Sequence, residues 1–264
     1  MIVPDPSRRI VNYHQPQYAL LLHADAIMPG GSGSDYFIDN SGHGHTIGKD
    51  GGWNNKPPGY GGGQVILEEG DSKFGDGCFA FYPGPSRIYW PTNDVFDFGD
   101  GNWTFDFWAK ILPAPGERLW TIHLTIYYYN FDLELTIGGG GQDHPDEHRI
   151  TINYSYFLTM GRFYRKIAYF TPEYDVWRHY AFVYSENDGC TRAYIDGAIV
   201  SYYYMGGNLF GNVENYYRYP WWNKHPINEL YVYSNAGIIL VDEVHLEAKA
   251  CFPYSFTPPE EPYP

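Results

Sequence analysis

Cysteine is scarce, cations are outnumbered, and no long apolar run interrupts the 264 residues. The three cysteines, Cys78, Cys190 and Cys251, are too few and of the wrong parity for a disulfide framework. They read as small buried hydrophobes of a chain folded in a reducing cytoplasm, although one pair is compatible with the count. Lys and Arg total 17 against 31 Asp and Glu, a formal net charge of −14. That balance excludes binding through nucleic-acid phosphates, which needs a basic surface, and docking on anionic lipid. Neither a nucleic-acid nor a membrane partner is therefore expected. No stretch of ~18 consecutive apolar residues is present to cross a bilayer as a helix. The N-terminal residues MIVPDPSRRI lack the apolar segment of a secretory signal, so synthesis in a cytoplasm without conventional export is expected. Long amphipathic helices with caps are also missing.

Aromatic residues are abundant, at 19% of the chain, with 27 Tyr, 16 Phe and 8 Trp beside 30 Gly and 20 Pro. Aromatics favour strands, and Gly and Pro punctuate turns, so the composition predicts an all-β protein. The length suits one large domain with its own core. The pattern is clearest from Trp177 to Val200. Trp177, His179, Ala181 and Val183 alternate with Arg178, Tyr180, Phe182 and Tyr184, which predicts a strand with one face toward a core. A turn at 185–189 (SENDG), a strand Cys190–Ile195, a tight turn at Asp196-Gly197 and a strand from Ala198 complete a meander. From Phe96 to Lys110 the same alternation puts Trp103, Phe105, Phe107 and Ala109 on one face and Thr104, Asp106, Trp108 and Lys110 on the other.

Between such segments the chain is irregular. Residues 1–17, with Pro4, Pro6 and Gln15-Pro16, read as an extended N-terminal arm. One domain is expected over 18–250. A Pro-rich tail over 251–264, ending SFTPPEEPYP, either packs on that domain or leaves it. Loops rich in Gly, Asn or Tyr are expected at 48–63, 138–148 and 201–222.

Several segments, in order, carry a resemblance. They are LLLHAD (20–25), DNSGHGH (39–45), KFGDG (73–77), FDFGDGNWTFDFW (96–108), WRHYAFV (177–183), YIDG (194–197), VDEVHL (241–246) and FTPP (256–259). Their order and spacing over about residues 18 to 264 resemble the concanavalin A-like lectin/glucanase superfamily in its laminin-G-like jelly-roll form. The likeness is to the version in structural proteins of tailed bacteriophages. The resemblance implies a two-sheet antiparallel β-sandwich with ligands at edge loops or on the concave sheet. It implies a virion location, made in a host cytoplasm, as capsid decoration or a tail- or fibre-associated module. Other virion proteins, further copies of the chain as a homo-oligomer, and a host-surface glycan are the partners it implies. A free carbohydrate-binding lectin and a glycoside hydrolase are the alternatives on this fold.

Catalysis is not expected. Glycoside hydrolysis needs two carboxyl groups flanking the bond. Asp132 and Glu134, at alternate positions of one strand, and Asp242, Glu243 and Glu247 are the nearest sets, and neither matches the E-x-D-x-x-E arrangement of hydrolytic relatives. No cofactor is required. The resemblance allows one Ca²⁺ near a sheet rim, with Asp25, Asp39 and Asp242 as candidate oxygen ligands. Against that, Asp39-Asn40 also suits an Asx-turn, and Asp25 and Asp242 suit strand ends. His43, His45, His144 and His148 have spacings that arise in any solvated loop, away from the cysteines. The aromatics Trp53, Tyr60, Tyr203, Tyr217, Trp221 and Trp222 stand in Gly/Asn-rich segments. Exposed, they would stack on sugars or form a subunit contact; buried, they would cover satellite cores under the loops.

Overall fold

The computed structural model describes residues 18–24, 27–28, 36–50, 64–91, 102–112, 120–128, 131–139, 147–156, 162–185, 187–204, 227–234, 237–247, 249–252 and 254–264. The regular structure among them is all strand. In chain order these are β1 (Leu20–Leu22), β2 (Ile27–Met28), β3 (Tyr36–Phe37), β4 (Gly48–Asp50), β5 (Val65–Glu69), β6 (Gly77–Phe81), β7 (Gly84–Pro91), β8 (Trp103–Leu112), β9 (Trp120–Tyr128), β10 (Phe131–Gly139), β11 (His148–Tyr156), β12 (Arg162–Phe170), β13 (Arg178–Ser185), β14 (Cys190–Ile195), β15 (Ala198–Tyr204), β16 (Ile227–Ser234) and β17 (Ile238–Glu247).

Two antiparallel sheets form a sandwich. An eight-stranded sheet runs β15-β14-β13-β8-β17-β6-β5, with β1 also paired to β17. A seven-stranded sheet runs β12-β11-β10-β9-β16-β7-β4, and β2 with β3 forms a small ribbon. The alternating aromatics fill the space between the sheets. Phe105, Phe107, Tyr180, Phe182 and Tyr184 from one sheet meet Ile88, Trp90, Ile122, Leu124, Ile150, Leu230 and Val232 from the other in one buried cluster. Phe107 stacks on Tyr180 with ring centroids 5.7 Å apart, and Trp103 on Tyr184 at 6.2 Å. The chain's cysteines are free thiols, with Cys78 and Cys190 buried.

β13 departs from the expectation of one buried face. Tyr180, Phe182 and Tyr184 line the main core, while Ala181 and Val183 join Tyr194 in a second cluster on the outer face. β8 does the same: Thr104, Asp106 and Trp108, opposite the core aromatics, are all buried. What covers that outer face is the C-terminal tail, whose Ala250, Phe252 and Phe256 pack on the second cluster.

β17 carries the irregularity that shapes the site. Ile239 and Val241 face the core, and so do Val244 and Leu246. Strict alternation cannot satisfy both pairs, because 241 and 244 are an odd number of residues apart. A β-bulge between Asp242 and His245 inserts one extra residue opposite β8, with Glu243 at φ 50. The same bulge divides the strand's other edge. Residues 239–241 pair with β6, and 244–246 pair with β1.

The loops begin later and end earlier than their composition suggests. Gly48–Asp50 is strand, as are Gly138, Gly139 and His148, and residues 201–204 continue β15. Gly48 pairs with Tyr89, whose ring lies 2.3 Å from where a Cβ would be, so the aromatic occupies the space the glycine leaves. The turn after β14 has positive φ at both central residues, Asp196 at 48 and Gly197 at 76, as a tight primed hairpin turn requires.

Candidate functional site

Three strands each place one polar side chain at the same level of the outer face of the eight-stranded sheet. β8 contributes Asp106, β13 His179 and β17 His245, and all three are at most 1% exposed. Their register makes this possible, with His179 opposite Trp108 and His245 opposite Asp106. Asp106 Oδ2 accepts from His245 Nδ1 at 2.7 Å, and Oδ1 accepts from His179 Nε2 at 3.1 Å. A carboxylate only accepts, so the ring nitrogens facing it carry the protons.

The tail closes over this group. Tyr263 donates its hydroxyl to Asp106 Oδ1 at 2.7 Å and its amide to Glu243 Oε2 at 3.1 Å. Glu243 Oε1 takes His23 Nδ1 at 2.7 Å. Glu247 Oε2 accepts from Cys251 Sγ at 2.9 Å and lies 3.6 Å from His245 Nε2. The Tyr18 ring meets His245 edge-on with centroids 4.8 Å apart. Burial disfavours an ionised Asp106, but the charge and hydrogen bonds of His245 and His179 override it and hold the carboxyl well below its ordinary range. Burial likewise disfavours a charged His245, and Asp106 and Glu247 outweigh it, so the imidazole is pushed up to about 9. Burial raises the Tyr263 phenol and lifts the Cys251 thiol to about 12, which keeps both protonated and the thiol unreactive.

The arrangement is structural electrostatics in a closed space. It can hold protons and fix the tail, but it leaves no carboxylate pair open to a substrate. Of these residues the sequence singles out Glu243 and Glu247 as acidic candidates and Cys251 as a buried thiol. The signal for the others was available: in each of WTFDFWA, WRHYAFV and VDEVHLE an ionisable group stands at an outward position among apolar and aromatic neighbours.

Of the candidate metal ligands, Asp39 and Asp242 are described, and each is bonded to backbone amides. Asp39 makes the Asx-type turn, accepting the Ser41 amide at 2.9 Å, the His45 amide at 3.1 Å and the Ser41 hydroxyl at 2.8 Å. Asp242 does not open the last strand as the sequence suggested; it sits mid-strand at the bulge. It accepts the Lys73 and Phe74 amides at 2.9 and 3.1 Å and the Glu243 amide at 2.8 Å. Its burial, with Glu243 adding to it, pushes the carboxyl up to about 7 against the pull of those amides. Among the described residues no group of three or more His, Cys, Asp or Glu is arranged to hold a metal ion. Asp25, Trp53, Tyr60, Tyr217, Trp221 and Trp222 lie outside the described residues, and Tyr203 is in β15 with its side chain outside them. Its neighbour Tyr202 is 62% exposed. Asp132 and Glu134 occupy alternate positions of β10, opposite Ser155 and Asn153 of β11.

These features define an all-β protein, a two-sheet antiparallel sandwich with a strapped outer face. No protein-family model matches the chain, and no curated protein sequence matches it. Solved structures do match. The binding domain of botulinum neurotoxin DC in complex with SialylT aligns with a TM-score of 0.53 at 12% identity, covering 89% of this chain and 49% of that one. The same domain in complex with rat synaptotagmin II gives 0.52 at 13%, covering 89% and 49%. A structure of botulinum neurotoxin type C, whose cell entry depends on interaction with two ganglioside molecules, gives 0.53 at 11%, covering 90% and 49%. This chain thus spans about half the length of the solved chains it matches, and identity this low speaks to fold alone. The first two of these structures are of a binding domain.

Proposed function

We propose that this chain is a non-catalytic recognition module whose ligand is a cell-surface glycan, carried as a structural part of a bacteriophage particle. The fold carries the reading: a lectin-like sandwich similar to toxin binding domains, one of them dependent on gangliosides. The use of the carboxyl groups supports the absence of catalysis. Asp106, Asp242, Glu243 and Glu247 are all buried and bonded to amides, histidines or the tail, where a glycosidase would keep a pair facing its substrate. Recognition then falls to the loops, as is usual when a rigid sheet scaffold carries function. The phage setting is proposed from the resemblance of the ordered sequence segments, including the FTPP at 256–259, together with the acidic balance and the Pro-rich segments at 1–17 and 251–264.

Two measurements test the two parts separately. The purified chain on a glycan array is expected to retain a restricted set of surface glycans without cleaving them. Binding to none, or hydrolysis of any, overturns the recognition reading. Immunogold labelling of phage particles from an expressing lysate is expected to decorate head or tail regularly. Protein found only free in the lysate overturns the virion setting and leaves a free lectin.

A further inference from the structure

The C-terminal tail is attached to the sheet by point contacts and not by strand pairing. The Thr104 hydroxyl donates to the Lys249 carbonyl at 2.6 Å and accepts the Cys251 amide at 2.9 Å. Tyr194 donates its hydroxyl to the Phe252 carbonyl. The Phe256 amide reaches the Gly197 carbonyl at 3.0 Å, and Phe252 stacks on Phe256 at 3.8 Å. At the far end Tyr263 ties the tail down polarly, through Asp106 and Glu243. The tail is thus a strap with an apolar buckle at Phe252 and Phe256 and a polar latch at Tyr263.

The latch encloses an unusual charge inventory. Three carboxyl groups, Asp106, Glu243 and Glu247, are buried with the imidazoles of His179 and His245, and His23 is partly buried beside them. With every imidazole neutral, the buried space would hold carboxylate charges with no cation inside it, only the exposed Lys249 acting on Glu247 from the surface, which a buried site does not tolerate. A proton on His245, bonded to Asp106 and facing Glu247, is the centre of the balance. His245 is faced by Asp106 from β8, with His179 of β13 behind it; by Glu247 from its own strand; by Tyr18 before β1; and by Tyr263 from the tail. One step further out, Glu243 accepts the Tyr263 amide, Cys251 donates to Glu247, and the exposed Lys249 acts on Glu247. The Tyr263 ring lies on the imidazole with centroids 4.3 Å apart, so the tail's end senses that charge directly.

We infer that residues 249–264 form a proton-latched strap, closed over the eight-stranded sheet while His245 carries its proton and released at the Tyr263 end when that proton is lost. The sign follows from the direction of the shift. A histidine whose folded pKa is raised contributes below its unfolded value and loses that contribution as pH rises through the folded one, here about 9. Release is therefore alkaline. It begins at Tyr263, because Phe252 and Phe256 hold their apolar contacts at any pH.

The test is amide hydrogen exchange by NMR on the full chain, with His245 titrated in the same samples. The Tyr263 and Phe256 amides each report one end of the strap. Between pH 7 and 9.5 the protection factor of Tyr263 is expected to fall roughly tenfold or more, with a midpoint at the His245 titration, a tenfold change per unit being the ordinary proton linkage. Phe256 and the β8 amides are expected to keep theirs. In His245→Gln the Tyr263 amide is expected to be weakly protected at every pH. Constant Tyr263 protection in the native chain overturns the inference, as does a midpoint away from that of His245. If His245→Gln does not fold, the coincidence of the two midpoints in the native chain decides the matter alone.

Discussion

Asp106 accepts hydrogen bonds from a histidine of β13, a histidine of β17 and the tyrosine near the end of the tail, so one carboxyl group joins three parts of the chain. Asp106→Asn keeps the volume but turns an N–H₂ toward a donor and removes the charge that His245 faces. Breaking a buried pair in this way costs about 3–5 kcal/mol, and urea unfolding of the variant is expected to show a loss of that order. Gly197 is a second decisive residue. It lies at φ 76, and an added Cβ would come within 1.8 Å of the Phe256 carbonyl oxygen. Gly197→Ala is therefore expected to cost more than ~1 kcal/mol and to abolish protection of the Phe256 amide, while β13 and β14 keep their exchange rates. Loss of stability with the Phe256 amide still protected would mean that the tail does not depend on this close approach.

At the scale of elements, β17 is the strand on which the arrangement turns. Its bulge at Glu243 lets Val241 and Val244 both face the core and puts Asp242 and His245 both on the outer face. Deleting Glu243 removes the extra residue, and a one-residue slip turns every following side chain to the opposite face. The deletion would drive Val244 and Leu246 outward and His245 and Glu247 into the main core. A chain without near-ultraviolet circular dichroism of packed aromatics is the expected outcome. A native-like spectrum would show that the bulge can be moved along the strand.

For the whole molecule, pH dependence is a sum of opposing groups. Burial pushes His148 down to about 4, and its Nε2 accepts the Tyr174 hydroxyl at 3.0 Å, so the fold holds it neutral. Its unfolded form takes a proton near 6.5, so it contributes less stability as pH falls from there toward 4. Asp242 acts the other way. With a folded value near 7 against an unfolded one of 3.8, its contribution is present at low pH and is lost as pH rises toward 7. The two slopes oppose each other, and His245 then lowers stability as pH rises toward 9. Urea midpoints of the native chain are expected to be nearly level from pH 4 to 6.5 and to decline from 7 to 9. His148→Gln is expected to expose a falling slope between pH 4 and 7, and Asp242→Asn a rising one. Parallel profiles for the native chain and both variants would remove these two groups from the account.

Sequence composition and periodicity determined the fold class, the alternating faces of β8 and β13 and the positive-φ turn at Asp196-Gly197, because strand period and turn chemistry are local properties. The Asx-turn at Asp39 was legible for the same reason. The outer face was not. Asp106 lies 73 residues from His179 and 139 from His245, and nothing local marks them as neighbours. The tail's prolines implied an extended path, but whether it left the domain or folded back depended on Tyr194, Gly197 and Glu243 offering partners in the right places. The sequence suggests a strand end at Asp242 because a bulge has no dependable sequence signature of its own; here the bulge shows only as the shift in apolar phase between Val241 and Val244. Charge partners, sheet faces and bulges are set by long-range register, and only the tertiary structure decides that.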